Sequence, residues 1–275
     1  MRAFTLRDYI IITDSACDLS PKMVEELGVG VIPLEFQLKG KSYFNYPDER
    51  EISTKEFYRI VREGESATTS QVTVHRYTDY FEEVLKHGRD VLYIAFSSGL
   101  SGSCNSAKVA AQELQAKYPD NRVEVVDSLC ASLGQGLYVY HAVQEKKKGK
   151  SIDQVIQWLE ENKLNLCHWF TVDDLNHLKR GGRINAATAL FGTMLAIKPV
   201  MHVDDEGRLI PVSKARGRKA SLTALVDRME ATAIDPAVRR CSSATVTVWR
   251  TLNLWPVRSA AVWAWRPFTS TMWAP

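Results

Sequence analysis

Three times in the first half of this chain a short apolar, β-branched run stops at a polar loop carrying serine, and a helical segment follows. Tyr9 to Thr13 stops at Asp14 and Ser15, Asp90 to Phe96 runs into Ser97-Ser98-Gly99-Leu100-Ser101-Gly102, and Val123 to Val126 ends at Asp127 and Ser128. Runs of this kind, apolar on both faces, are what buried parallel strands look like. Open α/β sheets place their ligand crevices at the carboxyl ends of such strands. The pattern therefore predicts an α/β fold whose polar loops form a binding site.

The helices are punctuated in the same way. Ser20 and Pro21 supply an N-cap and a first-turn proline for a helix over Lys22 to Leu27, which Gly28 closes. Gly30 to Leu38 reads as one strand turned at Lys39-Gly40-Lys41, and Ser53 with Glu56 reads as a capping box ahead of a helix ending near Gly64. Glu65 to Val72, holding Thr68, Thr69, Ser70 and Gln71, reads as a loop. Helices are expected over Val74 to Lys86, up to Lys117, over Leu133 to Lys148, and from the Ser151 cap to Asn162. A second α/β unit then begins. It holds a helix over Asp173 to Leu178, a basic glycine loop at Lys179 to Arg183, a helix over Ala186 to Leu195, strands at Lys198 to Val203 and Arg208 to Val212, and a helix over Ala220 to Ala231. The basic run Lys214, Arg216, Arg218, Lys219 reads as the solvated start of that last helix. The organisation expected is an N-terminal α/β domain over 1–160, a C-terminal α/β domain over 161–235, and an aberrant segment over 236–275.

Composition separates that last segment from the rest. The chain has 275 residues, 45% hydrophobic and 24% charged, as in an ordinary globular protein, which excludes disordered and fibrous classes. Residues 236–275 contain five arginines but no Asp, Glu, Lys or Gly, so a formal charge of +3 for the whole chain leaves −2 for residues 1–235. Five of the seven tryptophans fall in this segment. One reading is a basic, tryptophan-rich segment for membrane or nucleic-acid contact. The reading preferred here is a shift of reading frame. Two bases on, Ala237 to Ser243 permits S-Q-T-V-Q-F-S, and Arg266 to Pro275 permits T-F-H-I-N-Y-V-G-P, restoring a strand-like alternation.

No apolar run reaches the roughly 18 residues a membrane span needs, and Met1 to Arg7 lacks a signal-peptide core, so a cytoplasmic protein without stable membrane insertion is expected. Five scattered cysteines without a C-x-x-C pair read as reduced thiols rather than as a disulfide framework or a zinc site. The sequence has no G-x-S-x-G, no Walker loop and no G-x-G-x-x-G. What recurs is small hydroxyl side chains in glycine-bearing loops. They are suited to donate to an anionic head group without carrying charge, or simply to cap helices. A hydrolase or transferase using Ser98 or Ser128 would need a base, and none of the six histidines is placed beside a serine loop by sequence.

The segments Ile11 to Leu19 (IITDSACDL), Thr68 to Gln71 (TTSQ), Phe96 to Gly102 (FSSGLSG), Val126 to Ser128 (VDS), Leu178 to Ile184 (LKRGGRI) and Ile197 to Val200 (IKPV) resemble, in order and spacing, the DegV family. The resemblance implies two α/β domains with a lipid-binding cleft between them, holding one long-chain fatty acid and no cofactor. In members akin to FakB it implies a non-enzymatic carrier that presents the carboxylate to a fatty acid kinase (FakA-like), which forms an acyl-phosphate for phospholipid synthesis. Nucleic acid is not an implied partner. By the same resemblance Thr69 and Ser98 hold the head group, with Ser70, Gln71 and Ser97 beside them, while Arg183 and Arg216 match basic positions used with the kinase. Val72 departs from the family's usual proline, which predicts a looser loop. The resemblance also implies a C-terminal strand, helix and head-group histidine that the literal sequence after residue 236 does not supply.

Overall fold

The computed structural model describes residues 8–172, 175–184 and 197–232. They fall in two compact units that divide between Leu166 and Cys167. In the first, strand β1 (Tyr9–Asp14) leads through a 3-10 turn (Ser15–Cys17) to helix α1 (Pro21–Leu27) and strand β2 (Gly30–Ile32). The Ser20 hydroxyl accepts from the Met23 amide, Pro21 takes the first turn, and Gly28 ends the helix at φ 64°, where a Cβ would be disfavoured.

The strand expected over Gly30 to Leu38 is two strands in two sheets. Pro33 has no N–H to give a ladder and interrupts the run. Gly30–Ile32 pairs with β1, whereas β3 (Leu34–Leu38) joins β4 (Lys41–Asn45) and β5 (Ala67–Ser70) in an antiparallel sheet of order β4-β3-β5. The segment expected as a loop over Glu65 to Val72 is therefore in part a strand, with Thr69 opposite Phe36 and Thr68 opposite Gln37. Alternation is weak there because residues Thr68 to Ser70 are all exposed, so no apolar face marks the strand. Helix α2 (Thr54–Arg62) closes over this sheet through Phe36, Leu38 and Ile60. Ser53 caps it by accepting from the Glu56 amide, but the Glu56 carboxylate bonds Arg59 instead of completing the box.

Helix α3 (Val74–Leu85), strand β6 (Asp90–Ala95), helix α4 (Ser103–Lys117), strand β7 (Val123–Asp127) and helices α5 (Ser132–Lys147) and α6 (Ile152–Asn162) complete the unit. The main sheet has the order β2-β1-β6-β7, and every pairing in it is parallel. Strand order reverses between β1 and β6, which makes their carboxyl ends the topological switch point. β6 is buried along its whole length, and Tyr77 and Phe81 of α3 pack on Tyr93 in the core between sheet and helices.

The second unit contains β8 (Trp169–Thr171), α7 (Leu175–Arg180), β9 (Ile197–Val203), β10 (Leu209–Arg216) and α8 (Arg218–Thr232). Its strands are antiparallel in the order β10-β9-β8. Leu175, Ile184 and Met201 form its core among the described residues. Two expectations shift here. α7 extends over Lys179 and Arg180, shortening the basic loop. β10 continues through Lys214 and Arg216, so these bases lie on a strand and only Arg218 and Lys219 open the helix. Antiparallel pairing opposite Ile197 and Pro199 of β9 carries the strand to this end, a long-range pairing that local sequence does not announce. The helix expected over Ala186 to Leu195 and the segment 236–275 lie outside the described residues.

Candidate functional site

Both strands at the switch point end on side chains committed to one another. Asp14, the last residue of β1, is fully buried. Its Oδ1 accepts from the Ala16 amide at 3.0 Å, and its Oδ2 accepts from the Tyr93 hydroxyl at 2.7 Å and the Phe96 amide at 3.2 Å. Burial pushes this carboxyl upward, against the lowering effect of these hydrogen bonds. Phe96 is the first residue after β6, so Asp14 fixes where the serine loop begins.

The loop is braced from β7 as well. The Ser97 amide donates to the Cys130 carbonyl at 2.9 Å, and the Ser98 amide donates to Asp127 Oδ1 at 3.2 Å. Asp127 also accepts from the Leu129 amide at 3.1 Å. Ser97 is buried, and its hydroxyl accepts from the Gly99 amide at 3.1 Å. Ser98 is exposed. The loop thus turns one serine inward as a brace and the other outward. Ser128 is buried, donates its single proton to the Ala95 carbonyl at 2.7 Å and accepts from the Cys130 amide, so it braces the β7 loop. That commitment counts against it as a nucleophile.

The Thr68 to Gln71 segment meets this loop directly. A Cβ built on Gly102 would fall 2.2 Å from Gln71 Oε1, so the absence of a side chain there is what lets Gln71 lie against the loop. The Val72 amide donates to Ser103 Oγ at 3.2 Å, and the Ser101 and Ser103 hydroxyls are 3.0 Å apart. Val72 is 1% exposed in the main core. The looser loop expected from the missing proline is therefore not observed. Proline could not make this N–H bond, and valine uses it to tie the segment to the start of α4. Thr69, Ser70 and Gln71 remain exposed at the rim, as Ser98 does. The arrangement offers uncharged donors at the end of a parallel sheet and next to a 15-residue helix's N-terminus, where an anion is favoured.

Sequence reasoning did not single out Asp14, Tyr77, Tyr93 or Ser103. The signal available was tyrosine, rather than phenylalanine, at two core positions: a buried hydroxyl needs a partner. Tyr77 and Tyr93 are both 0% exposed, with their hydroxyls 2.8 Å apart.

The two arginines belong to the second unit. Arg183 follows α7 in a turn where Gly182 has φ 73°, is half-buried, and donates to the Gly181 carbonyl. Arg216 is exposed at the end of β10, on the same face as exposed Lys214. Among the described residues there is no group of three or more His, Cys, Asp or Glu able to hold a metal ion, and no helix long and apolar enough to cross a membrane.

Known proteins of the same kind surround this one. The family model of uncharacterised DegV proteins matches residues 9–243. A DegV domain-containing protein of Clostridium perfringens is 47% identical over 231 residues, 84% of this chain and 79% of that protein. A solved structure describing fatty acid binding of a DegV family protein from Thermus thermophilus is 36% identical, covers 85% of this chain and 80% of its own, and superposes with a TM-score of 0.72. The fatty acid kinase B3 protein of Streptococcus pneumoniae, solved with linoleic acid, shares the fold with a TM-score of 0.72 at 22% identity, over 83% of this chain and 80% of its own. On the span of the family match and the identity to the Clostridium protein, the chain belongs to the DegV family.

Proposed function

We propose that this protein binds one long-chain fatty acid through its carboxylate and presents that carboxylate to a fatty acid kinase. The observation that carries the reading is the junction of Gln71 and Val72 with Gly102 and Ser103, which joins the TTSQ strand end to the serine loop after β6. Thr69 and Ser98 are the head-group donors in this reading, with Ser70 and Gln71 at the rim and Ser97 as the brace beneath. Burial of the acyl chain supplies about 0.8 kcal/mol per methylene. The fatty acid binding described for the Thermus thermophilus protein supports the ligand class.

Neutral donors suit a carrier for phosphoryl transfer. They orient a carboxylate while leaving its oxygens nucleophilic, whereas a tight ion pair would quench attack on the γ-phosphate. In this reading Arg183 and Arg216 contact the kinase rather than the lipid, the kinase supplies the catalysis, the acyl-phosphate feeds phospholipid synthesis, and the protein acts in the cytoplasm. Mass spectrometry of lipid extracted from the purified protein should show a saturated or monounsaturated fatty acid at one per chain. A delipidated, folded sample that takes up no long-chain acid overturns the reading. With a fatty acid kinase and ATP, Arg216→Ala should keep the lipid and lower acyl-phosphate formation; loss of the lipid instead would reverse the roles of Arg216 and Ser98.

The segment from residue 236 fits the same reading as the product of a shifted frame. Residues 244–275 lie beyond the family match. Resequencing the gene around codons 236–243 tests this directly, and a literal-frame confirmation defeats it.

A further inference from the structure

We propose that Tyr77, Tyr93 and Asp14 form a hydrogen-bond relay that positions the serine loop of the site, so that Tyr77 and Tyr93 are positioning residues for the ligand carboxylate. The inference rests on the fatty-acid reading for its ligand, but its geometry stands apart from it. The Tyr93 hydroxyl lies 2.7 Å from Asp14 Oδ2 and 2.8 Å from the Tyr77 hydroxyl. The Asp14 carboxylate in turn receives the Phe96 amide at 3.2 Å, at the start of the serine loop.

Each hydroxyl has one proton to give, so the direction of the chain is set at its end. The Ala16 and Phe96 amides already donate to Asp14, which makes it the acceptor. Tyr93 therefore donates to Asp14, and Tyr77 to Tyr93. The relay ends on Phe96, the neighbour of Ser97 and Ser98. Three side chains from β1, α3 and β6 thus brace the loop that carries Ser98. Bonds aligned in this way polarise one another, and interrupting any link weakens the rest.

Tyr77→Phe, Tyr93→Phe and the double variant test the relay while keeping the aromatic packing. Amide hydrogen exchange at Phe96 should quicken about tenfold or more in each single variant, with the amides of α5 unchanged. The dissociation constant for [1-13C]palmitate should rise about 5- to 20-fold, and its bound carboxyl carbon resonance should move. Binding of hexadecan-1-ol should change less than about twofold, since it lacks the charge the donors were placed for. The double variant should lose no more palmitate affinity than the weaker-binding single variant, because a chain broken once is already broken. Unchanged exchange at Phe96, equal losses for acid and alcohol, or additive losses in the double variant would each overturn the relay. Folded wild-type protein that binds no palmitate would sink the ligand reading instead, and exchange at Phe96 would still decide the relay.

Discussion

The two halves of the candidate head-group site are built to opposite standards. The serine loop after β6 hangs from a strand buried along its whole length and is held by Asp14, Asp127 and the Cys130 carbonyl. The TTSQ segment ends β5, a short strand with β3 as its neighbour and three exposed residues in four. Its tie to the rest is made at Val72 and Gln71, just past the strand. The first wall is set by braces from β1 and β7, whereas, among the described residues, the second rests on β3 and the bond at Val72, so a ligand contact to the first is expected to lose less freedom on binding.

Breaking the set wall should produce the largest effect. Asp14→Ala strands the Tyr93 hydroxyl and the Phe96 and Ala16 amides without their acceptor, and should cost about 3 kcal/mol or more in urea unfolding of the first unit. A loss below about 1 kcal/mol would mean that water replaces the carboxylate and that the wall is not set by Asp14.

Acid separates the units themselves. Burial and the neighbouring His202 push His168 down to about 4, below the ordinary histidine value near 6.5. A folded pKa below the unfolded one means that the unfolded chain binds the proton first. The contribution is full above about pH 6.5 and is lost as pH falls toward about 4, on the order of 3 kcal/mol at most. In the first unit, Lys117 holds Glu82 and Arg122 holds Asp153 below the usual carboxylate range, so their loss comes at lower pH still. Hydrogen exchange between pH 6.5 and 4.5 should show β9 amides losing protection before those of β6, and His168→Phe should narrow the gap.

For the ligand, Ser98→Ala should weaken fatty-acid retention by about 2 kcal/mol and Thr69→Ala by nearer 1.5, the larger loss falling on the wall that needs no ordering. Titration with a fluorescent fatty acid would measure both, and a clear reversal would place the ordered wall at β5. Val72→Pro, which removes the N–H bond to Ser103 and exchanges a buried valine for a ring, should cost about 1 kcal/mol of stability or more. The smallest change is Ser70→Ala, exposed at the strand end, which should stay within about 0.5 kcal/mol in thermal unfolding.

Much of this organisation is local and therefore legible in the amino acids. Ser20, Pro21 and Gly28 delimit α1 because caps and left-handed glycines act within a few residues. The runs of β1, β6 and β7 declare themselves because burial on both faces removes polar residues from all positions. The resemblance likewise named Thr69, Ser98 and their neighbours, and the close approach of Gln71 to Gly102 brings two of its motifs together. What the sequence left open depends on partners far along the chain. That Gly30 to Leu38 serves two sheets, that Thr68 to Ser70 lie on a strand, and that Lys214 and Arg216 extend β10 were decided by pairing with β1, β3 and β9, which no local pattern encodes. The same is true of the relay. Asp14 and Tyr93 are 79 positions apart, and only packing α3 against β6 turns two core tyrosines into one hydrogen-bonded line from Tyr77 to Asp14. Periodicity reports that a side chain is buried, but the identity of what it meets there is a property of the tertiary structure.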